Sequence, residues 1–167
     1  MSMAAHPIDP QEFRKVMATW PTGVAIITGM NDEGRPVGIL CNSLTSISLA
    51  KKLLLWTVDQ SSGSYAHWVK AKKWAVHFLA DDQKDLIERF ARKGVPDKFE
   101  GLDYSISEAG TPVLAGVVGR LECTTTDRFE TFDHTVILGE VTAMSAGDKS
   151  PMIFAYSKFH EGPKRGA

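Results

Sequence analysis

At Pro21 the apolar pattern of this chain changes period, and no strict alternation of strand and helix follows it. Before Pro21 the pattern is helical. Asp9 suits an N-cap, Pro10 the first helical position, and Glu12 sits at a capping-box-like spacing. Phe13, Val16, Met17 and Trp20 then recur on one apolar face. After Pro21 come short runs rich in Val and Ile. Gly23–Met30 and Val37–Cys41 read as a hairpin turning near Gly34, and Leu44–Leu49 as a half-buried strand. Leu53–Val58 reads as a strand buried on both faces. Further strands are expected at Trp74–Ala80, Gly119–Arg128, His134–Met144 and Met152–Tyr156. Two more helices fall at Tyr65–Lys72 and Asp82–Lys93. The second has the apolar face Leu86, Ile87 and Phe90, acids early, bases late and Gly94 beyond its end. Gly94–Thr111, with Pro96, Gly101 and Gly110, reads as loop. The expected class is mainly β with inserted helices, a barrel with helical lids. A doubly wound nucleotide fold lacks both its βαβ alternation and its G-x-G-x-x-G turn here.

A length of 167 residues supports one domain, expected over 9–160, with flexible ends at 1–8 and 161–167. A net charge of -1 gives no electrostatic reason to expect nucleic acid or an anionic membrane as partner. No apolar run nears the roughly 18 residues that span a bilayer. MSMAAHPIDP has no signal pattern, so a cytoplasmic protein is expected. Cys41 and Cys123 sit in apolar runs without a C-x-x-C spacing, and read as buried thiols. His6, His67, His77, His134 and His160 show no metal-ligand spacing.

Three stretches are candidates for chemistry. In Asn42–Ser48, five of seven side chains are small hydrogen-bonding groups. They are either a solvated strand crossing or a wall that lets a flat heterocycle approach backbone. Asp59–Ser64 is a Ser/Gly-rich loop between strand and helix. It is an anion site or a plain N-cap, and capping alone is worth about 1 kcal/mol. Asp133-His134 opens a strand, where an acid can hold an imidazole proton. Strand neighbours point to opposite faces, so a surface turn is the competing reading.

Phe13-Arg14-x-x-Met17 with Pro21-Thr22-Gly23-Val24-Ala25-Ile26-Ile27-Thr28 resembles the opening of the short-chain flavin reductases. These are the reductase components of two-component flavin-dependent monooxygenases. The likeness continues through Val37-Gly38, Asn42-Ser43-x-x-Ser46-Ile47-Ser48, Ser61-Ser62, Ala75-Val76, Gln83, Glu88-Arg89-Phe90-Ala91 and Asp97-Lys98-Phe99. It closes with Pro112-Val113-Leu114, Cys123, Asp133-His134 and Gly139-Glu140-Val141.

The resemblance implies an FMN-binding split β-barrel and a homodimer with flavin near the subunit interface. It implies hydride transfer from NADH or NADPH to FMN or FAD, and a flavin-dependent oxygenase as recipient of the reduced flavin. By the same likeness Leu40, Cys41, Asn42 and Ser43, with Ser46, Ile47 and Ser48, would line the isoalloxazine. Asp59, Gln60, Ser61, Ser62 and Ser64 would follow the ribityl chain and phosphate, with Lys98 a further phosphate contact. His134 would stand on the nicotinamide side, beside Phe132. Four positions depart from the family. Ala50-Lys51-Lys52 replaces a usual Pro-Pro pair, His77 a usual Asn, Phe132 a usual Gly and Lys158 a usual terminal Gly. The first three are expected around the pocket. Phe132 could block nicotinamide access, which would leave a non-enzymatic flavin-binding electron carrier. A dimeric binding module on the same barrel, without flavin, is the more distant alternative.

Overall fold

The computed structural model of the chain describes residues 7–95 and 97–164. Residues 1–6 and 165–167 of the expected flexible ends 1–8 and 161–167, and Pro96 of the expected loop, lie outside them. The first element is α1 (Pro10–Met17), where the Asp9 side chain accepts the Gln11 N–H at 2.9 Å. The next elements are β1 (Thr22–Gly23), β2 (Ala25–Met30), β3 (Pro36–Cys41), β4 (Thr45–Ser48) and β5 (Leu53–Asp59). A single helical turn, α2 (Tyr65–Trp68), leads to β6 (Lys73–Phe78) and α3 (Lys84–Ala91). Then come β7 (Tyr104–Ile106), β8 (Pro112–Leu114), β9 (Gly119–Glu130), β10 (His134–Ala146), β11 (Met152–Ala155) and β12 (Lys158–Glu161).

Seven strands form one antiparallel sheet in the order β3-β2-β6-β9-β10-β5-β4. Its two edge strands, β3 and β4, are consecutive in the chain, joined by Asn42–Leu44. No ladder joins them, so the sheet curls without closing. Where a ladder would run, the Ser43 hydroxyl accepts the Thr57 N–H of β5 at 3.0 Å. Inside the curl, Trp56, Trp68 and Trp74 are fully buried among Ile27, Val58 and Ile137. Trp56 meets Trp68 edge-on at 5.3 Å between centroids, and Trp74 at 5.8 Å. Aromatic pairs in this geometry add about 0.5–1.5 kcal/mol beyond their burial. A second core packs Leu86, Ile87 and Phe90 of α3 against Val24, Ile26, Leu79, Leu114 and Met152.

Several local expectations need correction. Leu44–Leu49 is no half-buried strand: β4 is an edge with Ile47 50% exposed, and Leu49 beyond it is 92% exposed. β5 alternates, with Leu54, Trp56 and Val58 buried and Leu53, Leu55 and Thr57 half-buried. The second helix is four residues, not eight. The third begins two residues late, because Asp82 is held by Lys149 at 2.7 Å instead of opening the helix. The expected loop 94–111 contains β7, paired with β8. The expected tail begins inside a strand, since Glu161 pairs with Met152 in β12. None of the helices among the described residues is long and apolar enough to cross a membrane.

Gly38 of β3 sets how closely α3 can approach the sheet. A Cβ there would run into the Phe90 ring and stand 3.2 Å from Phe99. Gly38→Ala should therefore destabilise the fold by about 1–3 kcal/mol, the usual cost of overpacking. Adding Phe90→Leu should recover part of it. Urea melts of the three proteins check this; an unchanged midpoint for Gly38→Ala would refute the packing account.

Candidate functional site

A cleft lies between β3, the loop 59–64 and the end of α3 with the segment after it, and encloses about 930 Å³. That is near the upper end of the roughly 300–1,000 Å³ typical of small-molecule sites. Its floor is apolar, made by Pro36, Val37, Ile39 and Phe90. One wall carries Ser61, Ser62, Gly63 and Ser64; the other carries Arg92, Lys93 and Lys98.

The serine wall is fixed from within the core. Trp68 Nε1 donates to Ser64 Oγ at 2.9 Å, and Ser64 Oγ lies 3.3 Å from Ser62 Oγ. The Ser61 N–H donates to Asp59 Oδ1 at 2.7 Å, and the Ser62 N–H to the Asp59 carbonyl at 3.0 Å. The bonds from Ser61 hold the Asp59 carboxyl below its usual range, assisted by the nearby His134 and Lys93. The loop's shape is thus set by its own hydrogen bonds. Because α2 is one turn long, its dipole adds little, and attraction for an anion rests on the hydroxyls and the facing cations.

The expected site residues fall into two groups. Leu40, Asp59, Ser61, Ser62, Ser64 and Lys98 line the cleft. Cys41, Asn42, Ser43, Ser46, Ile47, Ser48, Gln60, Phe132 and His134 do not. Asn42–Ser48 instead runs along the open seam of the sheet. There Ser43 is held by Thr57, and the Ser48 hydroxyl accepts the Lys51 N–H at 3.2 Å. Asn42, Ser46 and Ile47 stay exposed. Cys41 and Cys123 are free and buried. Burial raises the Cys41 thiol and, with Glu122 adding, pushes Cys123 up to about 12.

The β9–β10 tip stands at the rim. His134 lies opposite Asp59 in the ladder, and the Gln60 N–H donates to the Asp133 carbonyl at 2.9 Å. Despite their adjacency in the chain, His134 Nδ1 and Asp133 Oδ1 are 2.8 Å apart. Asp133 lies in the turn just before β10, so strand alternation does not separate them. Phe132 is 98% exposed.

Sequence reasoning did not pick out Arg92, Lys93 or His67 as cleft residues. From the sequence the two cations read only as partners of the helix dipole. Lys98 is less available than expected: its ammonium donates to the Phe90 carbonyl at 2.6 Å, and burial lowers its pKa.

His77, expected around the pocket, does not line it. It is buried within β6, opposite Arg120 of β9. Its Nδ1 lies 3.3 Å from the Ile26 carbonyl, and Nε2 has no partner. The buried carboxylate of Glu122, near enough to influence His77, accepts from Ser107 at 2.6 Å and Thr111 at 3.1 Å. Burial lowers the His77 pKa from 6.5 to about 4. The unfolded chain then binds this proton below pH 6.5, while the folded chain waits until about 4. Stability should be unaffected above pH 6.5, fall as pH drops toward 4, and level off below. The full loss is about 3 kcal/mol. Melts of wild type and His77→Asn from pH 7 to 4 check this; equal slopes would contradict it.

Comparison with known proteins matches residues 17–163 to the family model described as Flavin reductase like domain. The FMN reductase (NADH) SmoA of Agrobacterium fabrum C58 is 36% identical over 149 residues, covering 89% of this chain and 84% of that protein. The reductase subunit HsaB of a flavin-dependent monooxygenase from Rhodococcus jostii RHA1 is 35% identical over 154 residues, 92% of this chain and 78% of that one. Among solved structures, the NADH:FAD oxidoreductase SgcE6 of Streptomyces globisporus C-1027, in complex with NAD and FAD fragments, gives a TM-score of 0.87. It is 30% identical, and the match covers 98% of this chain and 100% of that one.

Proposed function

We infer the reaction of this chain from the flavin reductase-like domain family, to which it belongs over residues 17–163. It is an NAD(P)H:flavin oxidoreductase of the split-barrel type, supplying reduced flavin to a partner flavin-dependent oxygenase. The observation that carries the reading is the cleft itself, an apolar floor between hydroxyls and cations. That donor set fits a flavin phosphate: short hydroxyls and a Gly backbone on one side, with Arg92 and Lys93 facing them.

When bound, flavin supplies the ring that accepts a hydride from the nicotinamide. The protein's own work is positioning. Asn42, Ser46 and Ser48 offer short polar side chains at the seam, with half-exposed Ile47 among them, supporting a ring placed there beside Leu40 and Cys41. Ser43, clamped to Thr57, keeps that surface at a fixed distance from β5. Asp59–Ser64 would follow the ribityl chain to the phosphate, with Lys98 steadying the end of α3 more than binding. His134, oriented by Asp133 at 2.8 Å, would contact the nicotinamide. Hydride transfer at fixed geometry needs no strong general acid from the protein.

The electron-carrier alternative depended on Phe132 blocking the nicotinamide. Phe132 stands 98% exposed in the turn before β10, two residues from His134, so flavin-dependent oxidation of NAD(P)H is the result that separates the two readings. A single domain over 9–160 and a cytoplasmic setting, where NAD(P)H is available, complete the proposal.

The purified protein should oxidise NADH or NADPH only when FMN or FAD is added. His134→Ala should raise the nicotinamide KM by about tenfold while flavin affinity stays within twofold. No flavin-dependent turnover with either donor would sink the reductase reading. Loss of flavin binding in the variant would move His134 away from the nicotinamide.

A homodimer is the second part of the proposal. Phe13, Val16, Met17 and Trp20 form an apolar face that one chain leaves at least half exposed, and exposed clusters of this kind mark interfaces. Sedimentation equilibrium should give twice the 18.3 kDa chain mass, and Trp20→Glu should shift it toward one. A wild-type monomer at micromolar concentration would reject the dimer.

A further inference from the structure

We propose that one buried water molecule sits between His77 and Arg120, donating a hydrogen to His77 Nε2 and accepting the Arg120 Nε–H. The site lies beside the β7–β8 hairpin. Neither residue lines the cleft, so the site does not depend on what the cleft binds.

The sheet register brings the groups together. His77 of β6 is directly opposite Arg120 of β9, and Ala75 is opposite Glu122. Residues opposed in a ladder point to the same face, as do residues two apart on one strand. His77, Arg120 and Glu122 therefore share one face of the sheet. The hairpin covers that face. Ser107 and Thr111 both donate to Glu122 Oε2, and Thr28, opposite Ala75 on the other side, donates to the Pro112 carbonyl at 2.7 Å. Under this cover His77 is fully buried and Glu122 nearly so.

Donors and acceptors in the cluster do not balance without a further molecule. A carbonyl only accepts, so the Nδ1 that meets the Ile26 carbonyl at 3.3 Å carries the ring proton. Burial keeps the imidazole neutral, which leaves Nε2 as a bare lone pair. That nitrogen is buried and has no partner in the protein. The Arg120 Nε–H is likewise buried without one, while Nη2 of the same side chain lies 3.4 Å from Glu122 Oε1. One orphaned acceptor and one orphaned donor thus stand on directly opposed residues. Water supplies the missing donor and the missing acceptor at once. Its second hydrogen can go to Glu122 Oε1, since the hydroxyls of Ser107 and Thr111 have taken Oε2. Charge selects the same occupant. The guanidinium weighs against a cation and the carboxylate against an anion, which leaves a small neutral molecule that both donates and accepts. Placed there, the water ties β6 and β9 to the carboxylate that anchors the hairpin.

A crystal structure of the full chain, at a resolution that shows ordered water, tests the site together with heteronuclear NMR of the imidazole nitrogens in neutral buffer. Density is expected for one water within hydrogen-bond reach of both His77 Nε2 and Arg120 Nε. The NMR should show His77 as the Nδ1–H tautomer. In His77→Phe, which keeps an aromatic ring and removes the acceptor, the water should be lost. A direct bond from Arg120 Nε to His77 Nε2 with no water between them would overturn the proposal. So would an Nε2–H tautomer, or a water that stays in place in His77→Phe. If that variant does not fold, the density and the tautomer of the wild type decide alone.

Discussion

Trp68 is the residue through which the core and the cleft are one structure. Its ring plugs the curled sheet against Trp56, and its Nε1 donates to Ser64 Oγ on the cleft wall. Trp74 completes the plug by lying where only Gly139 leaves room for it. An open sheet has no closing ladder to keep its curvature, so the volume inside must do so. Three indoles set that volume, and one of them also positions the loop that faces a ligand. The serine loop therefore has the rigidity of the interior although its surface is wet.

The seam follows from the same constraint. β3 and β4 are adjacent in sequence but are opposite edges of the sheet, and Asn42–Leu44 must cross between them. Backbone in such a crossing has no ladder partner, which favours short hydroxyl and amide side chains that can supply hydrogen bonds locally. The composition of Asn42–Ser48 has this structural cause. It also leaves short side chains at Asn42, Ser46 and Ser48 past which a flat ligand could approach main chain beside Ile47. The strand crossing accounts for the composition by itself, and the flavin wall proposed on it needs no residues beyond those the crossing requires.

Much of this was legible from the residues. The Pro21 period change, the hairpin around Gly34, the apolar face Leu86, Ile87 and Phe90, and the long β9–β10 pair all follow from local pattern, because each buries a periodic face against one neighbour. What escaped depends on partners distant in the chain. Asp82 looks like the first residue of a helix until Lys149 is placed beside it. β7 is three residues and exists by pairing with β8. Leu53 and Leu55 look core-like, yet they sit on the less covered face of β5 and are half-buried. The cleft was half legible. Ser61–Ser64 announces itself by composition. Arg92 and Lys93 are indistinguishable from ordinary helix-end cations until β3 is seen on the other side.

The placement of the tryptophans has an optical consequence. Trp56, Trp68 and Trp74 are fully buried, and Trp20 is 69% exposed on α1. Their emission is therefore divided between a dry, close-packed group and one solvated indole on a different face. Quenching or a spectral shift in the dry group reports on the serine loop through Trp68, whereas a change at Trp20 reports on what covers α1. Events in the cleft and events at the helix can thus be followed separately in the unlabelled protein, with one single-tryptophan substitution to tell them apart.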